Sequence, residues 1–164
     1  MDRVNRIIID PEFEGYLHKI DIAEEGRLFC SHHFDHLLST ARLTWIFLLE
    51  GGSPYISREI AYAAGFLHDI GRWREYRDGG DHADYSAELA KPLLRKSGFS
   101  EAESGLIIKA IKQHRDSYDP EIHRSPLSLA LNRADKHSRL CFTCSAREVC
   151  NKLNKQPHKC RLEY

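Results

Sequence analysis

The residues of this chain best suited to chemistry are two imidazoles and two carboxylates from three separate segments: His36, the adjacent pair His68-Asp69, and Asp135. The pair stands in Leu67-His68-Asp69-Ile70-Gly71, at the end of an apolar run from Ile60 through Leu67. An unpaired carboxylate buried there is costly, so a cation is expected beside it. Imidazole nitrogens and carboxylate oxygens in this number make a site for a divalent metal ion, with positions left open for water or substrate.

Helices must position these groups, because little of the chain reads as strand. A first helix is predicted from about Phe13 to Phe29. Ser31 is read as the cap of a long helix ending at Glu50, stopped by Gly51-Gly52. That helix is apolar on two faces, Phe34, Leu37, Leu38, Ala41, Trp45 and Leu48 on one, Leu43 and Phe47 on the other, as befits a helix inside a bundle. His36 lies on the second face and is expected to point inward. Ser57 opens the next helix, which reaches Asp69 and stops at Gly71. A polar, Gly-rich loop is expected from Arg72 to Asp81. Asp81 then caps a helix from His82 to Ser97, with Pro92 as a kink or boundary. Ser100 and Glu103 form a capping box opening a helix to Gln113 or His114. Ser125-Pro126 starts the last long helix, with Leu127, Ala130, Leu131 and Ala134 inward and Asp135 at the edge of the stripe. The fold class expected is all-α, a compact multi-helix bundle over residues 1–140 followed by a Cys-rich tail over 141–164.

The composition narrows the field. At 164 residues the chain is one domain able to bury a core. Lys plus Arg balances Asp plus Glu at 24 each, so no charge field argues for a nucleic-acid polymer or a membrane surface. Ten histidines are a surplus for this length. No apolar run is long enough to span a bilayer, and Met1-Asp2-Arg3-Val4 lacks the features of a secretory signal, so a cytoplasmic location is expected.

The order His36, His68-Asp69, Asp135, with its helical setting from about Ser31 to Arg139, resembles the signature of the HD superfamily of metal-dependent phosphohydrolases. His82, in Asp81-His82-Ala83-Asp84, and His114, in Gln113-His114-Arg115, fall where the dinuclear branches of that superfamily place further ligands. The resemblance implies one ion held by His36, His68, Asp69 and Asp135, and a second sharing Asp69 and adding His82 and His114. The metal expected is Mn, Fe, Co, Ni or Zn. Paired ions about 3.5–4 Å apart clamp a phosphoryl group and turn a bridging water into hydroxide, with His68 and Asp69 at the reacting centre. The bland alternatives are a histidine at a helix start for His82 and a helix-dipole partner for His114. His32, one turn before His36, reads as solvated or satisfied in the core. Arg72 stands where the family carries Lys, and no Gly-Tyr-Pro motif is present.

Phosphate binding needs permanent cations. Arg72, Arg74, Lys112, Arg115 and Lys136 flank the ligand positions, with Arg72 the foremost candidate because guanidinium forks suit phosphate. A general acid is not evident, with His137 or a water as candidates. Cys141, Cys144, Cys150 and Cys160 are separated by two, five and nine residues, a pattern able to wrap Zn or an iron–sulfur centre, with His158 an alternative to Cys160. Ordinary reduced cysteines are the rival reading. Cys30 is taken as a small buried residue.

The function expected is hydrolysis of a phosphoester of a nucleotide or a related small phosphorylated metabolite by metal-bound hydroxide. Two alternatives stay open. The six-ligand order also resembles HD-fold di-iron oxygenases, and a non-catalytic nucleotide-binding sensor would retain the same site. Oligomeric state is not legible.

Overall fold

The computed structural model describes residues 1–115 and 125–150. Its order is α1 (Asp2–Ile8), α2 (Pro11–Ala23), α3 (Phe34–Glu50), α4 (Arg58–Leu67), α5 (Arg72–Asp78), α6 (His82–Ser97), α7 (Glu101–Gln113) and α8 (Pro126–His137), then two single 3₁₀ turns at Cys141–Thr143 and Arg147–Val149. There is no strand among the described residues, and the class is all-α. No helix among them is long and apolar enough to cross a membrane.

Local signals set most boundaries. Ser57, Asp81 and Ser125 each accept a backbone N–H of the helix they open, and Ser100 with Glu103 closes both halves of the capping box. Pro92 lies inside α6 without ending it.

Three expectations need correction. The first helix ends at Ala23 rather than Phe29, and the separate α1 precedes it. Asp10 caps α2 ahead of Pro11 at its first position, a start signal strong enough to divide the two. Ser31 is not the cap of α3, which begins at Phe34 with His33 before it and no side-chain cap. Residues 24–33 instead leave the helical path so that Glu24 and His32 can turn inward, both buried. The stretch Arg72–Asp81, expected as a loop, contains α5. That helix buries no residue and so shows no apolar stripe to read, and Gly79 at φ 75° ends it.

The core forms around α4, which packs against α1, α3, α6, α7 and α8. Phe66, Leu67 and Ile70 are fully buried beside Leu37 and Leu48 of α3, Leu93 and Leu94 of α6, Ile107 and Ile111 of α7, and Leu131 of α8. Two glycines permit the close approaches. A Cβ on Gly65 would lie 2.3 Å from Ala41 Cα, so α3 and α4 touch backbone to backbone. A Cβ on Gly71 would lie 2.5 Å from the Ser86 nitrogen, and the Gly71 N–H donates to Ser86 Oγ at 2.9 Å. His68 and Asp69 are thereby held against α3 on one side and α6 on the other.

Candidate metal centre

Four helix ends and one helix face converge on Asp69. His68 is the C-cap of α4 and Asp69 follows it. His36 comes from the first turn of α3, His82 is the first residue of α6, His114 is the C-cap of α7, and Asp135 comes from the last turn of α8. Asp69 Oδ2 lies 3.2 Å from His68 Nε2 and 3.5 Å from His36 Nε2. Asp135 Oδ1 lies 3.3 Å from His36 Nε2 and 3.7 Å from His68 Nε2. On the other side, Asp69 Oδ1 lies 3.0 Å from His82 Nε2 and 3.6 Å from His114 Nε2. The side chains thus form two groups, His36-His68-Asp69-Asp135 and Asp69-His82-His114, the ligand atoms of each within 4.8 Å of one another.

The far side of each ring fixes its tautomer. His68 Nδ1 donates to the Gly65 carbonyl at 2.7 Å, and His114 Nδ1 to the Ile111 carbonyl at 2.6 Å. His82 Nδ1 donates to Glu75 Oε2 at 3.0 Å. His36 Nδ1 lies 3.1 Å from Ser138 Oγ, whose own hydrogen goes to the Asp135 carbonyl, so the ring is the donor. In the neutral state each Nε2 therefore presents a lone pair to the centre, the arrangement that orients imidazoles as metal ligands.

A divalent cation fits this donor set. Both oxygens of Asp69, with His36 Nε2 and His68 Nε2, are buried and have no hydrogen-bond partner. His82 Nε2 and His114 Nε2 face each other at 3.2 Å, two lone pairs that only a shared cation or proton reconciles. Burial pushes the Asp69 carboxyl up, but His68 and Arg72 outweigh it and hold the group ionised, well below the usual range. Asp135 is likewise depressed, against burial, by His36, His68 and Arg139. Burial lowers His114 and keeps it neutral. His68 is pushed down by burial but raised to about 10 by Asp69 and Asp135, so metal binding there displaces a proton.

The five cations expected to bind phosphate part company. Arg72 Nε lies 3.6 Å from Asp69 Oδ1, and its Nη1 donates to Glu75 Oε2 at 2.5 Å. Arg115 reaches the same Glu75 at 3.2 Å and Asp81 at 3.0 Å. Arg74 lies against Glu88 and the rings of Trp73 and Tyr85. Lys112 pairs with Asp84 at 3.2 Å and Lys136 donates to Asn132 at 2.8 Å, both on exposed surface.

Sequence reasoning missed several neighbours. Arg139 Nη2 donates to Asp135 Oδ1 at 3.0 Å and stands 3.4 Å from His32 Nε2. Glu75 braces His82, and Ser138 braces His36. His32 is no ordinary core histidine. It is 2% exposed, its Nδ1 is bonded to Glu24, and its Nε2 is 3.8 Å from Asp69 Oδ2. Burial lowers His32 to about 4 despite Glu24, while Glu24, raised by burial, is brought to about 2 by donors from His32 and Tyr76. The helical spacing from His32 to His36 was the one signal available. A cleft of about 260 Å³ leads to His36, lined by Ser31, Asp35, Ser39, Ser138 and Arg139 together with Cys30, Cys141 and Cys144. Cys30 is half-buried at this cleft rather than packed inside. Among the described residues no group of three ligand atoms includes a cysteine, and Cys160 and His158 lie outside those residues.

A family model described as HD domain matches residues 33–140, a span containing His36 through Asp135. An uncharacterized protein of Clostridium beijerinckii (strain ATCC 51743 / NCIMB 8052) is 35% identical over 151 residues, 92% of each chain. YueE of Bacillus subtilis (strain 168), whose phosphohydrolase name is itself provisional, is 31% identical over 120 residues, 60% of this chain and 68% of that protein. The bifunctional uridylyltransferase/uridylyl-removing enzyme of Erythrobacter litoralis (strain HTCC2594) is 36% identical over 74 residues, 40% of this chain but 8% of that enzyme. No solved structure gives a significant match.

Proposed function

From the premise that this chain belongs to the HD-domain family, we propose that it is a metal-dependent phosphohydrolase cleaving a phosphoester of a nucleotide or a related small phosphorylated metabolite. The observation that carries this reading is the division of Asp69, with Oδ2 turned to His36 and His68 and Oδ1 to His82 and His114. Divalent ions held there supply Lewis acidity toward the phosphoryl oxygens and lower the pKa of a water.

The chain's own residues do the rest. Asp69 and Asp135 remain ionised, and the rings of His36, His68, His82 and His114 are locked by their Nδ1 partners, so the donors are aimed before any ligand arrives. Arg72 sits at the Oδ1 side and Arg139 beside Asp135, giving two fixed positive groups at opposite ends of the centre. A phosphoester in the cleft beside His36 lies next to Arg139, with the hydroxyls of Ser31, Ser39 and Ser138 along the wall. The burial of Asp69 and His68 strengthens these interactions by excluding water.

The test is phosphate release from a panel of nucleotides and small phosphoesters by metal-stripped protein reloaded with Mn, Fe, Co, Ni or Zn. Turnover that returns with metal and disappears in Asp69→Asn is expected. Oxygen consumption by the iron form without phosphate release would replace this reading with oxygenase chemistry. Tight binding of one panel member with no turnover would replace it with a sensor.

A further inference from the structure

We infer that His32 is a metal ligand of this centre, a fifth imidazole on Asp69, anchored for that purpose by Glu24 and Tyr76. The inference rests on the metal-centre reading above and extends its ligand set.

His32 lies in the non-helical passage between α2 and α3, so no helix geometry obliges it to face inward. It is turned inward by a dedicated anchor. Its backbone N–H donates to Glu24 Oε2 at 2.7 Å and its Nδ1–H to Glu24 Oε1, while the Tyr76 hydroxyl donates to the same oxygen at 2.7 Å. A carboxylate can only accept, so the ring proton is on Nδ1 and the lone pair on Nε2. That lone pair stands 3.8 Å from Asp69 Oδ2, and the ring meets His36 edge-to-face at 5.5 Å.

The construction repeats that of the other four rings. His36, His68, His82 and His114 each commit Nδ1 to an acceptor and turn Nε2 toward an oxygen of Asp69. His32 does the same with a carboxylate as its acceptor, the strongest of the partners that raise ligand basicity. A histidine needed only for packing would be satisfied by Glu24 alone, with no reason to aim its second nitrogen at an anion. Beside Asp69 that lone pair is repelled unless a cation lies between them, and the Arg139 guanidinium at 3.4 Å is a partial answer.

Two donors on one ion stand no more than about 4.2 Å apart when each bond is about 2.1 Å, and the separation here lies within that span. His32 falls outside the tight four-atom group because it approaches from the Arg139 side, and it reaches the centre through Oδ2. A further neutral imidazole adds affinity without cancelling the ion's charge. It also favours a first-row transition ion over Mg²⁺, which prefers oxygen.

The test counts imidazoles directly. Full-length protein saturated with Co(II) is recorded by proton NMR in water and in D₂O, where each ring bound through Nε2 contributes one hyperfine-shifted, exchangeable Nδ1–H resonance. Five are expected, one of them lost in His32→Gln. Glu24→Gln, which keeps the ring and loses its carboxylate partner, is expected to bind Co(II) about 10- to 100-fold more weakly. Four or fewer resonances, with none lost in His32→Gln, overturn the inference and leave the centre standing. No shifted resonance at all overturns the centre with it. Because the count is made on the wild type, the result does not depend on either variant folding.

Discussion

Gly65→Ala is expected to damage both the fold and the metal centre, although alanine is the better helix former. The added methyl would lie 2.3 Å from Ala41 Cα and 2.6 Å from Ala41 N, and neither is a side-chain atom that can swing away. Restoring ordinary contact requires α3 and α4 to part by about 1 Å. Overpacking of this kind costs about 1–3 kcal/mol, and a backbone clash belongs at the upper end. The helix gains back about 0.5–1 kcal/mol from losing the glycine. A net loss of about 2 kcal/mol follows, which for a chain of this length is a fall of roughly 4–8 °C in Tm. His36 rides on α3 and His68 on α4, so the same displacement exceeds the few tenths of an ångström that a metal site tolerates. Co(II) affinity should fall by more than about tenfold. Gly105 provides the control. It lies in α7 with nothing within 4 Å of its would-be Cβ, so Gly105→Ala should be neutral or stabilise by up to about 1 kcal/mol. Urea titration and Co(II) binding by calorimetry read both effects. Gly65→Ala with wild-type midpoint and wild-type affinity would refute the backbone contact and the role assigned to it.

Three further outcomes are expected. A divalent ion that binds only the folded chain should add about 2.7 kcal/mol per site at a hundredfold excess over its Kd, and a Tm indifferent to both metal and chelator would contradict the centre. In His82→Ala/His114→Ala, elemental analysis should find one ion fewer per chain while the ion at Asp69 Oδ2 persists, and an unchanged count would make both residues bystanders. The Glu24 carboxyl is held at about 2 against its ordinary 4.5, so its contribution to stability is complete above pH 4.5 and is lost as pH falls toward 2. The stability gap between wild type and Glu24→Gln, measured by urea unfolding at stepped pH, should therefore close over that window. A gap that persists below pH 2.5 would show that the carboxylate charge is not its source.

By itself the sequence determined the features whose causes are local. Ser57, Asp81, Ser100 and Ser125 mark helix starts because each capping bond closes within three residues of its cap, and those starts appear where they were read. His68-Asp69 after an apolar helix, with His36 and Asp135 on inward faces, was readable because ligand type and helical period need no knowledge of the tertiary path. Helix α5 was not readable, since it buries nothing and its place is set by what it touches: Glu75 against His82 and Tyr76 against Glu24. Only the tertiary structure decided which oxygen of Asp69 each ring faces, because that depends on how α3, α6 and α7 cross α4. It also decided that Arg139 lies beside Asp135 and that Lys112 and Lys136 stay on the surface. The Glu24–His32 contact belongs to the same class. Eight residues separate the two in the chain, and they meet because the segment between them leaves the helix, a choice no periodicity records. A charge in a loop and a charge in a core look alike in sequence. Burial distinguishes them, and burial belongs to the whole fold.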